Sequence, residues 1–288
     1  MRSTTAHDGT GNDHRRVGVT PSFDVALEAR RRVDFLVTYL RASGLSAYVL
    51  GISGGVDSLA AALLAQRAIE ELRKAGYEAR FVAVRLPYGT QADEKDAQRA
   101  LDTIGADEVH RVDIKPAADA MLDSIKLASV ELGDAGREDF LLGNIKARQR
   151  MIAQFALAGA TRGLVIGTDH AAEALMGFFT KFGDGAADIL PLSGLNKRRV
   201  RALAAHLGAP CELVDKIPTA DLENLVPLRP DEDAYGVSYD QIDDFLEGRE
   251  IDEAARTRIL HVHSSTAHKR ALPVTAIAMT NSPLPHRQ

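Results

Sequence analysis

The sequence predicts an α/β fold with a doubly wound parallel sheet, and two patterns support this prediction. Short, mostly apolar segments alternate along the chain with longer segments of helical character. Such apolar segments are typical of strands that are buried on both faces of a parallel sheet. The first of them, residues 47–52, leads through a turn of glycine and serine into a helix that is rich in Ala and Leu.

The first part of the chain follows this alternation from element to element. A first helix is expected over about 23–41, where Val33, Leu36 and Leu40 lie on one apolar stripe. After it the sequence predicts strands at 47–52, 80–86, 109–113 and 164–168 and helices at 57–75, 91–104, 116–131 and 139–159. The alternation therefore places helices on both faces of the sheet.

The last third of the chain departs from the alternation. Residues 177–194 are rich in glycine and have little periodicity, which indicates an ordered functional loop. Asn196 is expected to cap a further helix, and short helices are expected at 238–247 and 251–260. Residues 215–236 contain prolines among acidic residues, so we expect a lid or a disordered segment there.

Composition and charge restrict the class of protein. The 288 residues have a net charge of −5 and a pI of about 6.0, so no overall basic field favours a nucleic-acid partner. Cys211 is the single cysteine, which excludes an internal disulfide and a cysteine-based zinc site. No apolar run approaches the length of a membrane span, and the N-terminus lacks the apolar core of a signal peptide. We therefore expect a cytoplasmic protein without a membrane partner.

The chain is expected to form one domain between two tails. Residues 1–20 are polar and have no period, which predicts a disordered tail. The domain is placed at 21–275, and residues 276–288 are expected to form a C-terminal tail without a clear element.

The turn after the first strand carries the strongest functional signal. It reads Ser53-Gly54-Gly55-Val56-Asp57-Ser58, and its glycines expose backbone N–H groups beside a helix N-terminus, where the dipole favours a phosphate. The spacing of the Walker loop is absent, and a carboxylate stands beside the expected phosphate. Mg²⁺ between them would remove this conflict, because it takes oxygen ligands from carboxylates and phosphates together. The alternative is a tight turn in which Asp57 only caps the helix.

This loop resembles the pyrophosphate-binding loop of the ATP pyrophosphatases, which split ATP into AMP and pyrophosphate. Three further blocks resemble ammonia-dependent NAD synthetases: VRLPYGTQADEKDAQ at 84–98, GNIKARQRMIAQFALAG at 143–159 and GTDHAAEALMGFFTKFGDGAADILPLSGLNKR at 167–198. With PTADL at 218–222, GVSYDQIDDFLEG at 236–248 and HKR at 268–270, the resemblance runs in order from about residue 23 to residue 270. It departs at the polar N-terminal tail and at a C-terminus that lacks the aromatic ending of the family.

The resemblance implies a Rossmann-like fold of the adenine nucleotide alpha hydrolase type and an ATP-dependent amidation. In that family the nicotinate carboxylate of nicotinic acid adenine dinucleotide (deamido-NAD) attacks the α-phosphate of ATP. Ammonia then opens the acyl-adenylate to give NAD, AMP and pyrophosphate. The resemblance further implies ATP as a co-substrate, Mg²⁺ as a cofactor and a homodimer.

The same resemblance implies roles for individual residues. The ATP-binding residues would be Gly51, Ile52, Ser53, Gly54, Gly55, Val56, Asp57, Ser58, Arg85, Gln91, Thr168, Lys197 and Thr219. The residues that bind deamido-NAD would be Arg148, Lys181, Asp188, His268 and Lys269. The metal ligands would be Asp57 and Glu173. The catalytic residues would include Asp57 and Lys197. Asp184, in the GDG turn, is a further catalytic candidate, and our hypothesis is that it receives ammonia and takes its excess proton.

Several of these residues also have a plain structural explanation. Glu173 stands at the start of a helix, where an acidic side chain is favourable in any case. Arg148 is typical of the exposed face of an amphipathic helix, and Asp184 of a turn. His170 follows Asp169 and has no serine or cysteine elbow beside it, which favours a structural histidine over a catalytic one.

Two other functions stay open. An RNA-modifying ATP pyrophosphatase would need a basic extension or cysteines for sulfur transfer, and the sequence offers neither. A non-catalytic nucleotide-binding protein could keep the glycine-serine loop but would have no use for the other charged residues together. Glutamine hydrolysis needs an activated cysteine and an additional domain, so free ammonia is the expected nitrogen source.

Overall fold

A parallel sheet with helices on both faces forms the centre of the computed structural model, which describes residues 19–20, 22–89, 94–219, 222–227 and 229–275. The strands are β1 (Ala47–Gly51), β2 (Arg80–Arg85), β3 (Glu108–Arg111) and β4 (Gly163–Val165). The helices are α1 (Val25–Ser43), α2 (Val56–Lys74), α3 (Glu94–Ile104), α4 (Lys115–Leu127), α5 (Ala135–Thr161), α6 (Ala171–Met176), α7 (Lys197–His206), α8 (Cys211–Val214), α9 (Asp231–Tyr235), α10 (Tyr239–Leu246) and α11 (Glu253–Ser265). The tails predicted at 1–20 and 276–288 lie outside the described residues, apart from residues 19 and 20, and so does Gln91.

The strand order is β3-β2-β1-β4, and every pair is parallel. The chain extends the sheet from β1 through β2 to β3 and then returns to the other side of β1 with β4. Where the direction of winding changes in this way, a crevice opens at the carboxyl ends of the strands, and ligands bind there. The fold therefore places the turn after β1 beside the segment that follows β4.

Alternate residues of the strands point to opposite faces of the sheet. Tyr48, Leu50 and Phe81 belong to a core shared with α1, α2 and α7, whereas Val49 and Val82 pack on the face covered by α5. Each of these five residues is at most 2% exposed. The prediction of a doubly wound parallel sheet is confirmed.

A second core lies beside the sheet, among α6, α9, α10 and α11. Leu175, Tyr235 and Ile259 belong to it, and each is at most 3% exposed. Because α6 follows β4 and is packed into this core, the segment that carries His170 and Glu173 is fixed next to the carboxyl edge of the sheet.

The bounds of several elements differ from the sequence-based predictions: α4 ends at Leu127 rather than at 131, and α11 continues to Ser265 rather than ending at 260. The structure shows a physical reason for two further differences. Helix α5 is longer than predicted, because Asp134 accepts the N–H of Arg137 at its start and Arg162 ends it in a left-handed conformation (φ 54°). Strand β4 is shorter, since Ile166 pairs with Ile189 only through a single parallel bridge. None of the described helices, α5 included, combines the length and apolar character needed to cross a membrane.

Residues 215–236, here called the lid, are partly regular. The sequence patterns do not predict α8, which precedes the lid, or α9, which ends within it. Pro230 is the N-cap of α9, and it pairs with Thr219 through an antiparallel bridge that joins the two ends of the lid. The described part of the lid is thus folded back on itself rather than extended.

Candidate active site

The glycine-serine loop after β1 is held in shape by its own hydrogen bonds. The Gly55 N–H donates to Ser53 Oγ (3.2 Å), and the Ser58 hydroxyl donates to the carbonyl oxygen of Gly55 (3.0 Å). Gly54 has φ +86°, and a Cβ there would stand 2.9 Å from the backbone nitrogen of Ala97, so glycine is required. Gly55 begins α2 without a side-chain cap, which leaves the first N–H groups of the helix available to an anion.

Two carboxylates converge beside this loop. Asp57 lies in the first turn of α2 and Glu173 in the first turn of α6. Together with His170, each offers one ligand atom, and these atoms lie within 4.8 Å of one another. The ammonium of Lys197 donates to Oδ1 and Oδ2 of Asp57 at 3.0 and 2.8 Å. The structure brings the two predicted metal ligands together, and their binding of a metal stays a prediction.

The pKa values of the two carboxyls are shifted in opposite directions. Burial would raise the pKa of Asp57, but the charge and hydrogen bonds of the Lys197 ammonium, together with weaker attraction from other basic groups, leave this pKa below its usual value. Burial raises the pKa of Glu173 well above its usual value, and the charge of Asp57 raises it further. A divalent cation between the two carboxyls would favour the ionised form of both.

His170 occupies a position that the sequence patterns do not anticipate. The residue is 1% exposed, and its Nε2 lies 3.5 Å from Asp57 Oδ1 and 3.6 Å from Glu173 Oε1. Neither ring nitrogen has a hydrogen-bond partner among the described residues. Burial lowers the pKa of His170 to about 3, so the ring is neutral at neutral pH. The sequence contains one signal for this position, because His170, like Glu173, follows the fourth strand at the edge of the sheet where ligands bind.

Asp243 sets the position of Lys197. Its carboxylate oxygens accept the backbone N–H groups of Lys197 (3.0 Å) and Arg198 (2.7 Å), the first residues of α7. An acidic group is favourable at a helix N-terminus, and Asp243 is 1% exposed. Burial raises the pKa of Asp243 to about 6. Because Asp243 and Lys197 are 46 positions apart, no local motif reveals this contact.

The loop, α5, the glycine-rich segment after α6 and the lid enclose a cavity of about 440 Å³. The predicted site residues that line it are Gly51, Ile52, Ser53, Gly55, Val56, Asp57, Ser58, Arg85, Thr168, Glu173, Asp184, Lys197, Thr219 and Lys269. Phe140 and Phe178 give the cavity an apolar side. Arg85 is 4% exposed and donates to the carbonyl oxygen of Ile52, so it supports the end of β1.

Two buried side chains of α5 hold the lid over the cavity. Asp139 accepts the N–H groups of Asn224 (2.9 Å) and Leu225 (2.8 Å). Lys146 donates to the carbonyl oxygen of Leu222 (2.8 Å) and to Oδ1 of Asn224 (2.7 Å). Asp139 and Lys146 are 8% and 2% exposed. The sequence patterns do not reveal this attachment, because the partners are 76 to 86 positions apart.

Asp169 and Asp184 add acidic groups near the carboxylate pair. Burial, together with the charges of Asp184 and Asp57, raises the pKa of Asp169 to about 7. Desolvation also raises the pKa of Asp184, although the Thr180 N–H donates to its Oδ1 at 2.9 Å and opposes the shift. Together these carboxyls make the region favourable for a cation.

The residues predicted to bind deamido-NAD fall into separate places. Arg148 donates to the carbonyl oxygen of Lys181 (3.3 Å), and Lys181 donates to that of His268 (2.5 Å), so these three residues are connected outside the cavity lining. Lys269 reaches the cavity. Asp188 accepts the backbone N–H of the last residue of β4 at 2.7 Å, which ties one of its oxygens to the sheet.

Comparisons with known proteins agree on one family. A family model described as NAD synthase matches residues 28–273. An NH(3)-dependent NAD(+) synthetase from Burkholderia ambifaria (strain MC40-6) is 62% identical over 259 residues, which cover 90% of this chain and 92% of that protein. A crystal structure of NAD+ synthetase from Burkholderia pseudomallei has a TM-score of 0.79 at 60% identity and covers 90% of this chain and 95% of that one. A structure of NMN synthetase from Francisella tularensis has a TM-score of 0.76 at 36% identity, with 88% and 99% covered.

Proposed function

The chain belongs to the NAD synthase family, and on this basis we propose that it amidates deamido-NAD with ammonia and ATP to give NAD, AMP and pyrophosphate. Its fold is of the adenine nucleotide alpha hydrolase type. The observation that carries the proposal is the meeting of the glycine-serine loop, Lys197 and the Asp57–Glu173 pair in one cavity. An anion-binding turn, a buried ammonium and paired carboxylates are what a reaction between ATP and a second anion requires.

The first step joins two anions, so the cavity must hold phosphate and reduce its charge. We assign the N–H groups at the start of α2 and the hydroxyls of Ser53 and Ser58 to the phosphates. The ammonium of Lys197 adds a point charge that is fixed by burial and by the contact of Asp243 with α7. The nicotinate carboxylate can then attack the α-phosphate, and pyrophosphate leaves with its charge neutralised.

Asp57 and Glu173 fit a Mg²⁺ ion. They present oxygen ligands, and the raised pKa of Glu173 indicates that the pair is short of positive charge in the absence of a cation. Bound Mg²⁺ would supply charge compensation for the phosphates of ATP.

The second step brings ammonia to the acyl-adenylate. We assign Asp184 the role of receiving ammonia and taking the excess proton, because it lines the cavity and its pKa is raised toward the range where a carboxylate accepts a proton. The acidic groups around it attract the ammonium ion that is the main form at neutral pH. Cys211 does not line the cavity, and its thiol contacts Glu212 at 3.6 Å, so this residue supplies no amidotransferase nucleophile there.

The dinucleotide is proposed to bind across the connected residues Arg148, Lys181 and His268, with Asp188 and Lys269 at its inner end. Helix α5 also exposes apolar side chains, such as Phe140 at 46% and Ile152 at 52%, which a second copy of the chain would cover. We therefore propose that the chain forms a homodimer. Each subunit is proposed to be a single domain over 21–275. Its proposed location is the cytoplasm, and its net charge of −5 does not favour nucleic acid.

A second candidate substrate is nicotinic acid mononucleotide. The similarity to the NMN synthetase from Francisella tularensis favours it, since amidation of nicotinic acid mononucleotide gives NMN. The two substrates share the nicotinate that reacts and differ in the adenylate half, so the same catalytic residues would serve either one.

The experiment measures pyrophosphate and amide formation with ATP, Mg²⁺ and ammonium, adding deamido-NAD, nicotinic acid mononucleotide or RNA in separate reactions. Pyrophosphate that appears only with deamido-NAD and equals the NAD formed supports the proposal. Turnover of the mononucleotide alone, release that depends on RNA, or ATP binding without turnover would each replace it with another function.

Two substitutions connect the activity to the cavity. Lys197→Met should lower turnover by about 100-fold or more, as expected when a donor to transition-state charge is removed. Lys126→Met is the matched control, because Lys126 pairs with Glu138 on the surface and should leave turnover unchanged. Asp184→Asn should reduce ammonium-dependent turnover, and normal turnover of this variant would remove its assigned role.

A further inference from the structure

The buried ring of His170 lacks a hydrogen-bond partner within the part of the chain that the structure describes. It is the N-cap of α6 but makes no side-chain capping bond, and both nitrogens are buried without a hydrogen-bond partner among the described residues. A neutral imidazole carries one N–H donor and one lone pair. Burying such groups unpaired is unfavourable, so a further group, such as a bound ligand, is expected to complete the position.

The surroundings of Nε2 point to the kind of group. The distances of 3.5 Å to Asp57 Oδ1 and 3.6 Å to Glu173 Oε1 are long for hydrogen bonds. They are only slightly longer than the separation of ligands that share one cation, because two ligand atoms at about 2.1 Å from a metal stand roughly 3–3.5 Å apart. Asp57 can serve Lys197 and a cation together, since an ionised carboxylate has about four acceptor positions.

We propose that His170 Nε2 is a third ligand of the cation bound by Asp57 and Glu173. The inference rests on the metal role assigned to those carboxylates in the proposed function and extends it to a residue that the sequence patterns treat as structural. One nitrogen and two oxygens make a mixed ligand set, which divalent transition metals accept more readily than Mg²⁺ does. The site therefore holds Mn²⁺, Co²⁺ or Zn²⁺ more tightly than two carboxylates alone would.

Mn²⁺ added to the full chain without nucleotide tests this directly. Pulsed electron paramagnetic resonance of the bound ion should show coupling to ¹⁴N, and labelling the histidines with ¹⁵N should replace it with ¹⁵N coupling. Both measurements use the unsubstituted chain, so they do not depend on the folding of a variant. Bound Mn²⁺ without nitrogen coupling, or no Mn²⁺ binding at millimolar concentration, would overturn the inference.

Substitution then identifies the histidine. His170→Gln should abolish the nitrogen coupling and weaken Mn²⁺ binding by at least about 10- to 100-fold. Loss of a residue that only hydrogen-bonds to a metal ligand already weakens metal binding by this factor, and a direct ligand should matter no less. His110→Gln is the control, because His110 lies on β3 and contacts Glu108 at 3.2 Å, away from the cavity lining. Retention of the coupling in the His170 variant would assign it to another residue and overturn the inference.

The two proposals can fail separately. If the chain forms NAD with Mg²⁺ but bound Mn²⁺ shows no nitrogen coupling, only the role of His170 is lost. If nitrogen coupling is present and no NAD forms from any nicotinate substrate, the ligand assignment stands and the proposed activity is lost.

Discussion

Replacement of Asp139 by asparagine is expected to loosen the lid from α5. The two carboxylate oxygens of Asp139 accept N–H groups from Asn224 and Leu225 at 2.9 and 2.8 Å. Asparagine keeps one acceptor oxygen but turns an amide N–H₂ toward the other N–H group, so about one charge-assisted bond is lost. Such a bond contributes about 1.5–3 kcal/mol, which corresponds to a rise of roughly 10- to 150-fold in the population of the detached lid.

Amide hydrogen exchange over residues 222–227 measures this change. The N–H groups of Asn224 and Leu225 exchange when the lid detaches, so their exchange should accelerate by the same factor in Asp139→Asn. The KM for ATP should rise as well, because substrate binding must then also close the lid.

The matched control is Glu138→Gln on the preceding position of α5. Glu138 pairs with Lys126 at 2.6 Å and its side chain is 37% exposed, so its loss should cost less than about 1 kcal/mol and leave the lid unchanged. Equal exchange in Asp139→Asn and the unsubstituted chain would refute the reasoning. Equal acceleration in both variants would show that the lid responds to the charge of α5 rather than to this contact.

Two further predictions concern Asp243 and Cys211. Burial raises the pKa of Asp243 to about 6 in the folded protein, above the value of 3.8 that applies to the unfolded chain. The stability that this carboxyl contributes is therefore fully present below pH 3.8 and is lost as the pH rises through about 6. The free energy of unfolding in urea should therefore fall between about pH 5 and about pH 7, and about 1 kcal/mol of this fall should be absent in Asp243→Asn. The same fall in both proteins would contradict the prediction. Cys211→Ser should keep ammonium-dependent turnover within about twofold, since the residue is exposed on α8; a large loss of NAD formation would show that the thiol takes part.

The order and type of the main elements could be predicted because they depend on neighbours in the chain. The apolar run of β1, the glycine-serine turn and the Ala- and Leu-rich start of α2 are local patterns, and the structure reproduces them within a residue or two. The short helix α9 escaped prediction, because proline and acidic residues around it favour loops when tertiary contacts are ignored. Its N-cap Pro230 is held by the bridge to Thr219, which no local pattern indicates.

By itself the sequence determined the α/β class, the anion-binding turn and the acidic and basic residues that belong to the site, since each follows from residue type and short-range periodicity. Only the tertiary structure decided which of these groups meet. Asp57 and Lys197 are 140 positions apart and come into contact because β4 returns to the side of β1. The same placement buries His170 between two carboxylates, and the packing of the lid on α5 joins Asp139 to Asn224. Distances of this kind arise from strand order and long-range packing, which the periodicity of a single segment does not contain.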